Sequence, residues 1–178
     1  MGSRSKYVTD DVLDKYIHLL PQKDALALEV CRATGLRIGD VLKIEKKALK
    51  SPDTIVYRAQ KTGKKGEKKI SPELFERLKD SGNGRWCFPS PRNGRRKRSR
   101  QAVYIAMKRE ALKGGLPRAS PHSARKAYAV ALAKKAGFDA VARELQHTHY
   151  DTTILYALAD VLEARAKGKE DKTDGPNG

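Results

Sequence analysis

The chain is poor in cysteine and has no long apolar run. Its two cysteines, Cys31 and Cys87, stand far apart, and neither belongs to a Cys-x-x-Cys pair. The sequence therefore predicts neither a disulfide framework nor a metal site, and Cys31, on an apolar helical pattern, is expected to be a buried thiol. No apolar stretch approaches the roughly 20 residues of a membrane-spanning helix, and the first residues lack the apolar core of a signal peptide. We expect an intracellular protein with no membrane contact.

Acidic residues are scarce relative to basic ones. Asp and Glu total 21 against 38 Lys and Arg, which gives a net charge of +17 over 178 residues. This excess is larger than solubility requires and favours a polyanionic partner. Double-stranded DNA is the partner that we predict first, and an anionic membrane surface is the alternative. For an intracellular DNA-binding protein we expect a cytoplasmic, nucleoid-associated location.

Apolar spacing predicts a mainly α fold with a small antiparallel β-hairpin or sheet, of the α+β class. The predicted strands cover residues 54–59 and 68–70, joined by a Gly-rich basic turn. The predicted helices cover residues 8–20, 23–34, a short segment bearing Val41, Leu42 and Ile44, a segment starting at Ser71, and residues 101–112, 120–136, 139–146 and 151–166. We expect one domain over residues 8–167. Residues 1–7 are read as a tail or an expression remnant, and residues 168–178 as a disordered polar tail.

A group of polar residues near the C-terminal end indicates chemistry on a phosphate. His122 and Arg125 are three residues apart, so they share one face of a helix. His147 and Tyr156 follow on later helical segments. Arginine and protonated histidine spread positive charge onto phosphate oxygens, and a tyrosine can attack phosphorus covalently. The combination therefore predicts a phosphoryl-transfer site.

Five short motifs occur in a fixed order: T-G-L-R with Arg37, Q-K-T-G with Lys61, H-S-A-R with His122 and Arg125, L-Q-H with His147, and T-T-I-L-Y ending at Tyr156. In this order they resemble the motifs of the tyrosine recombinases, the phage integrase family, over nearly the whole chain. The resemblance implies the fold of that family's catalytic domain. Gln146 replaces a usual glycine, and Lys126 stands where another histidine is common. An N-terminal core-binding domain, usual in the family, is expected to be missing.

The resemblance also implies a mechanism and a role for each residue. Tyr156 attacks a DNA phosphodiester and forms a 3′-phosphotyrosyl link, while Arg37 and Arg125 hold the non-bridging oxygens. His147 adds a hydrogen bond to the phosphate, and His122 accepts or polarises the phenolic proton. Lys61 protonates the departing 5′-oxygen. No cofactor, metal or ATP is required, and a homotetramer on DNA is expected, with a monomer as the alternative state in solution.

Each assignment has a plainer alternative. Arg37 could cap the preceding helix or pair with Asp40, and His122 could be a surface residue. Tyr156 could be a core side chain with Tyr150 as the competing nucleophile, and His147 with His149 could bind a metal. The predicted DNA-binding residues, whose alternative is a solvated flexible loop, are Lys64, Lys65, Arg92, Arg95, Arg96, Lys97, Arg98 and Arg100.

Three functions follow from these alternatives. The first is a site-specific DNA recombinase or integrase that breaks and rejoins strands. The second uses the same chemistry in a type IB topoisomerase-like or telomere-resolving enzyme. The third is a basic DNA-binding module without catalysis.

Overall fold

The computed structural model describes residues 8–60, 62–82 and 84–145, except for the side chains of Phe138 and Ala142. These residues fall in two compact units, residues 8–128 and residues 129–145. The elements, in chain order, are α1 (Asp10–Leu19), α2 (Gln22–Thr34), α3 (Ile38–Val41), a 3₁₀ turn (Lys46–Ala48), β1 (Leu49–Lys50), β2 (Thr54–Arg58), β3 (Lys65–Lys69), α4 (Pro72–Asp80), α5 (Arg100–Gly114) and α6 (Pro121–Glu144). The predicted mainly helical fold with a small antiparallel sheet is confirmed.

Local signals set most helix ends. Thr9 occupies the N-cap position of α1, and Asp10 and Asp11 fill its first turn, where the helix dipole favours acids. Ser71 caps α4 by accepting a hydrogen bond from Leu74 N at 3.2 Å, and Pro72 fills the first helical position, where no backbone N–H is needed. These ends agree with the predicted ones to within two residues.

The third helix is shorter than the sequence predicts. It covers only Ile38–Val41, and the chain then tightens into turns in which Ile44 N donates to the Val41 carbonyl at 3.0 Å. Val41, Leu42 and Ile44 are all buried. An α-helix extended through them would present these neighbours in different directions, whereas the tighter turn buries all of them.

The sheet has three antiparallel strands in the order β1-β2-β3, so the predicted hairpin gains a short third strand. Strand β2 pairs with β3 from Thr54↔Lys69 to Arg58↔Lys65. The return strand begins three residues earlier than the predicted Lys68, and it includes Gly66. A Cβ at Gly66 would lie 2.9 Å from the Tyr57 hydroxyl, so a larger residue at this position would have to displace the tyrosine ring.

The core of the first unit joins helices that are distant in sequence. Leu13, Leu28, Leu78 and Met107 come from α1, α2, α4 and α5, and each is fully buried. Burying such a side chain stabilises a fold by about 1.5–3 kcal/mol. Both cysteines are buried and free, as expected for Cys31.

Helix α6 contains the predicted break. Gly137 has φ 80° and interrupts the helical dihedrals, because glycine adopts this left-handed region without steric cost. The predicted helix over residues 151–166 and the predicted disordered tail lie outside the described residues. Within the described ranges, no helix has the length and apolarity needed to cross a membrane.

Candidate active site

The T-G-L-R motif forms a fixed turn at the end of α2. The Thr34 hydroxyl donates to the Val30 carbonyl at 2.6 Å and accepts from Leu36 N at 3.2 Å. Gly35 follows the helix with φ 68°, a conformation that favours glycine. Thr34 is 1% exposed, so these bonds are shielded from water. The turn therefore fixes the direction in which the chain reaches Arg37.

Arg37 is the N-cap residue of α3. Its carbonyl accepts hydrogen bonds from Asp40 N at 2.8 Å and Val41 N at 3.0 Å, while its side chain is half-buried. This cap belongs to the following helix, whereas the alternative from the sequence was a cap on the preceding helix, which ends at Gly35. The side chain makes no capping bond, so capping does not occupy the guanidinium.

Arg125 lies beside this turn. It is 4% exposed, and its Nη1 donates to the carbonyl oxygen of Gly35, which is 90 residues away in sequence. Because Gly35 stands two residues before Arg37, this bond brings the two arginine-bearing segments together. Lys126, which follows Arg125, is 1% exposed, so the residue that replaces the expected histidine is buried.

Two charged side chains affect the pKa of a buried thiol near the same turn. Burial raises the pKa of Cys31, the positive charge of Arg125 lowers it, and the negative charge of Asp40 raises it. Both charged groups therefore act on one buried atom of α2. Asp40 itself is 4% exposed.

Asp40 connects the arginine turn to the β2–β3 hairpin. Its Oδ1 accepts a hydrogen bond from Gln60 N at 2.9 Å. The hairpin turn is closed by two backbone bonds, Ala59 N to the Lys64 carbonyl at 2.9 Å and Gly63 N to the Ala59 carbonyl at 2.8 Å. Asp40 therefore holds the residue directly before Lys61. Lys61 lies outside the described residues, and the predicted DNA contacts Lys64 and Lys65 are both exposed.

His122 lines a cleft that also contains the end of this hairpin. This His122 cleft has a volume of about 580 Å³, and its lining includes Gln60, Lys97, Arg100 and His122. The Arg100 side chain packs across Gly39, where a Cβ would lie 3.1 Å from the Arg100 Cδ. The cleft thus combines a histidine with two predicted DNA-binding cations, and the role of His122 stays a prediction.

Hydrogen bonds to side chains of α1 and of α6 hold the segment that precedes His122. The Tyr16 hydroxyl donates to the Pro117 carbonyl at 2.8 Å and accepts from Ala119 N at 3.3 Å. Burial raises the pKa of Tyr16, although the hydrogen bond from Ala119 lowers it. The Ser123 hydroxyl accepts from Ser120 N at 3.2 Å, which is a capping bond at the start of α6. These contacts fix the position of His122.

The arginine-rich segment is an ordered antiparallel turn, which we call the basic turn, residues 89–98. Ser90 N donates to the Arg96 carbonyl and Arg98 N to the Phe88 carbonyl, both at 2.8 Å. The Trp86 indole N–H donates to the Arg95 carbonyl at 3.1 Å. These bonds order the turn, and its binding to phosphate stays a prediction. The exposed members of the predicted set in and next to this turn are Arg92, Arg95, Arg96 and Arg100, whereas Lys97 is half-buried.

Arg98 points inward, unlike its neighbours. Its Nε and Nη2 donate to the two carboxylate oxygens of Asp24, and the Asp24 side chain is 1% exposed. This bidentate pair joins the basic turn to α2. Because the guanidinium is committed to the fold, we leave Arg98 out of the proposed DNA contacts.

Three of the six predicted catalytic residues, Lys61, His147 and Tyr156, lie outside the described residues, as do the alternatives Tyr150 and His149. Among the described residues, no group of three His, Cys, Asp or Glu side chains could hold a metal ion. The roles of Tyr16 and Asp40 are not visible in the sequence, since their partners are distant along the chain. For Asp40, the only feature visible in the sequence is its position three residues after Arg37.

The family model described as "Phage integrase family" matches residues 6–162. The chain resembles the catalytic core of lambda integrase with 23% identity and a TM-score of 0.68, covering 83% of this chain and 94% of that one. It also resembles a lambda integrase fragment bound as a dimer to a COC′ core site, with 21% identity, a TM-score of 0.71 and coverage of 85% and 61%. For XerA recombinase the identity is 17%, the TM-score 0.72 and the coverage 99% and 68%.

The chain spans about 49–61% of the length of the lambda integrase structures bound to core sites or DNA. At these identities, the likeness to solved structures shows a shared fold. No curated protein matches the chain significantly.

Proposed function

This chain belongs to the phage integrase family, and we propose that it breaks and rejoins double-stranded DNA at specific sites through a 3′-phosphotyrosyl intermediate. The observation that carries the proposal is the bond from Arg125 to the Gly35 carbonyl. That bond joins two arginine-bearing segments that are distant in sequence, and Ile38 and Gly39, which follow Arg37, line the His122 cleft. On this proposal both guanidinium groups hold one phosphate, which suits a transition state in which charge builds on two non-bridging oxygens.

The reaction conserves the energy of the phosphodiester. The Tyr156 phenol gives up its proton, with His122 as acceptor or polarising group, and its oxygen forms a bond to phosphorus. The bond from phosphorus to the 5′-oxygen breaks, and that oxygen takes a proton from Lys61. Rejoining reverses these steps when a 5′-hydroxyl attacks the phosphotyrosine. Because no bond energy is lost to water, the cycle needs no ATP.

The arginines and the second histidine stabilise the pentavalent phosphorus. Arg37 and Arg125 each present a planar set of N–H donors that fits two phosphate oxygens, and His147 supplies a further hydrogen bond. Loss of one preorganised donor of this kind lowers the rate of the chemical step by about 100- to 1000-fold. We expect that reduction for Arg37→Ala, with a smaller effect on DNA binding.

We propose that the exposed cations of the hairpin tip and basic turn contact the DNA backbone. Such contacts position the duplex without reading its sequence. Among similar structures, one is a lambda integrase tetramer bound to a Holliday junction, and another is XerH bound to its palindromic difH substrate. By analogy, we propose a homotetramer on DNA for this chain, acting at the nucleoid.

Covalent capture tests the chemistry without knowledge of the target site. The full chain is incubated with a pool of nicked duplexes randomised around the nick, so that cleavage releases a short fragment and traps the protein on DNA. We expect an adduct that survives denaturation. Sequencing the DNA in this adduct then reveals the target site. The matched variants are Tyr156→Phe, which should abolish the adduct, and Tyr150→Phe, which should retain it. If the intact chain forms no adduct, or if Tyr156→Phe forms one, the proposal is wrong.

A further inference from the structure

The His122 cleft adjoins a second cleft that none of the assigned roles explains. The second one, the Trp86 cleft, has a volume of about 550 Å³, and its lining includes Tyr57, Trp86, Asp40 and Glu45. Three residues line both clefts: Lys43, Gln60 and Lys97. A DNA strand that runs from one cleft into the other must therefore pass these three side chains.

The two shared lysines combine partial burial with the lack of a carboxylate partner among the described residues. Lys43 and Lys97 are both half-buried. Across residues 8–60, 62–82 and 84–145, neither forms an ion pair with a carboxylate, whereas Arg77 pairs with Glu29, and Arg98 with Asp24. Two ammonium groups that have no carboxylate partner among the described residues lie at the shared edge of two clefts, and their combined positive charge forms a site that favours an anion.

The carboxylates of the Trp86 cleft have other partners. Asp40 Oδ1 accepts the hydrogen bond from Gln60 N, and Glu45 Oε1 accepts from Arg85 Nη2 at 2.7 Å. The pKa of Glu45 is lowered mainly by that bond. The charge of Glu45 is therefore offset by Arg85, whereas Asp40 keeps its negative charge beside Gln60, and Lys43 and Lys97 supply two positive charges at the junction of the clefts.

We propose that Lys43 and Lys97 together bind one backbone phosphate of the cleaved strand, next to the phosphate that Arg37 and Arg125 hold. The inference rests on the proposed function for the position of that phosphate along the DNA. The sequence predicts Lys97 only as one member of a basic run, and it does not predict a role for Lys43. Their position between two clefts distinguishes them from the exposed cations of the basic turn.

The first test is the salt dependence of duplex binding. Each phosphate contact contributes about 0.9 to the slope of log affinity against log salt. For the double variant Lys43→Gln/Lys97→Gln, we expect the slope to fall by about this amount. The affinity lost between 50 and 200 mM salt then shrinks by a factor of about 3.5. Lys15→Gln, an exposed lysine of α1 that lines neither cleft, is the matched control and should leave the slope unchanged. Thermal melts confirm that each variant is folded.

The second test locates the phosphate. In a substrate recovered by covalent capture, each phosphate beside the cleaved one is replaced singly by a neutral methylphosphonate. Wild-type protein should lose affinity at one adjacent position, and the double variant should lose nothing further there. If the double variant keeps the wild-type salt slope and the chain forms the covalent adduct, the phosphate site is wrong and the proposed function stands. If the slope changes but the chain never forms an adduct, the proposed function is wrong and the anion site stands. If the double variant and each methylphosphonate lower the affinity additively at every position, the phosphate site is also wrong.

Discussion

Replacing Arg98 tests whether this member of the basic run serves the fold or the DNA. In Arg98→Met, the Asp24 carboxylate keeps its burial, with a side chain 1% exposed, but loses both donors. Breaking a buried ion pair by removing one partner costs about 3–5 kcal/mol. Total stabilities of about 5–15 kcal/mol are usual, so this is a large fraction. At about 2–4 °C per kcal/mol for a chain of this size, the melting temperature should fall by about 6–20 °C.

The assay compares thermal melts and salt-dependent DNA binding in three variants. Arg96→Met, on the exposed side of the basic turn, should change stability by no more than about 0.5 kcal/mol and lower the salt slope by about 0.9. Arg98→Met should show the reverse pattern when binding is measured below its melting temperature. Asp24→Asn/Arg98→Met should recover part of the stability, because the uncompensated charge is gone. If Arg98→Met melts like Arg96→Met and loses salt slope, Arg98 contacts DNA and the assignment to the fold is wrong.

Three further predictions concern the arginine turn and the thiols. Thr34→Val removes the acceptor of Leu36 N inside the protein and should destabilise the fold by about 1–3 kcal/mol, measured by urea denaturation; an unchanged midpoint would contradict the bond. Asp40→Ala frees Gln60 and should slow adduct formation more than it weakens duplex binding, whereas equal losses in both would indicate a general structural defect. Burial raises the pKa of Cys87 from 9.0 to about 11, so the folded state holds its proton where the unfolded state has lost it. The stabilisation is complete below pH 9 and is lost as pH rises toward 11, so Cys87→Ala should flatten the fall of stability in this window.

Local chemistry accounts for most of the helices that the sequence predicted. Ser71 and Pro72 define the start of α4 through one side chain and one fixed dihedral, and such signals need no knowledge of the rest of the chain. Strand β1 was missed because it has two residues and exists through its pairing with β2, for example Leu49↔Ile55. A pair of residues carries no usable period, so only the assembled sheet reveals such a strand.

The candidate site was predictable in its residue types but not in its geometry. His122 and Arg125 share a helix face at a spacing that the sequence displays directly. The bond from Arg125 to Gly35 spans 90 residues, and the one from Tyr16 to Pro117 spans 101. Contacts at such separations depend on how the helices pack. A motif therefore marks a side chain that carries chemistry, while the residues that position it are found only in the folded structure.

The basic turn shows why a run of charges is not one uniform surface. Lys97 pairs with Pro89 as an isolated antiparallel bridge, and in extended backbone successive side chains point to opposite sides. Arg96 is exposed, Lys97 lines the two clefts, and Arg98 reaches Asp24. Three adjacent cations thus have different surroundings and, on our proposals, three different tasks. Composition alone assigns all of them to DNA, because it contains the charges but neither the alternation that separates Lys97 from its neighbours nor the packing against α2 that separates Arg98 from Arg96.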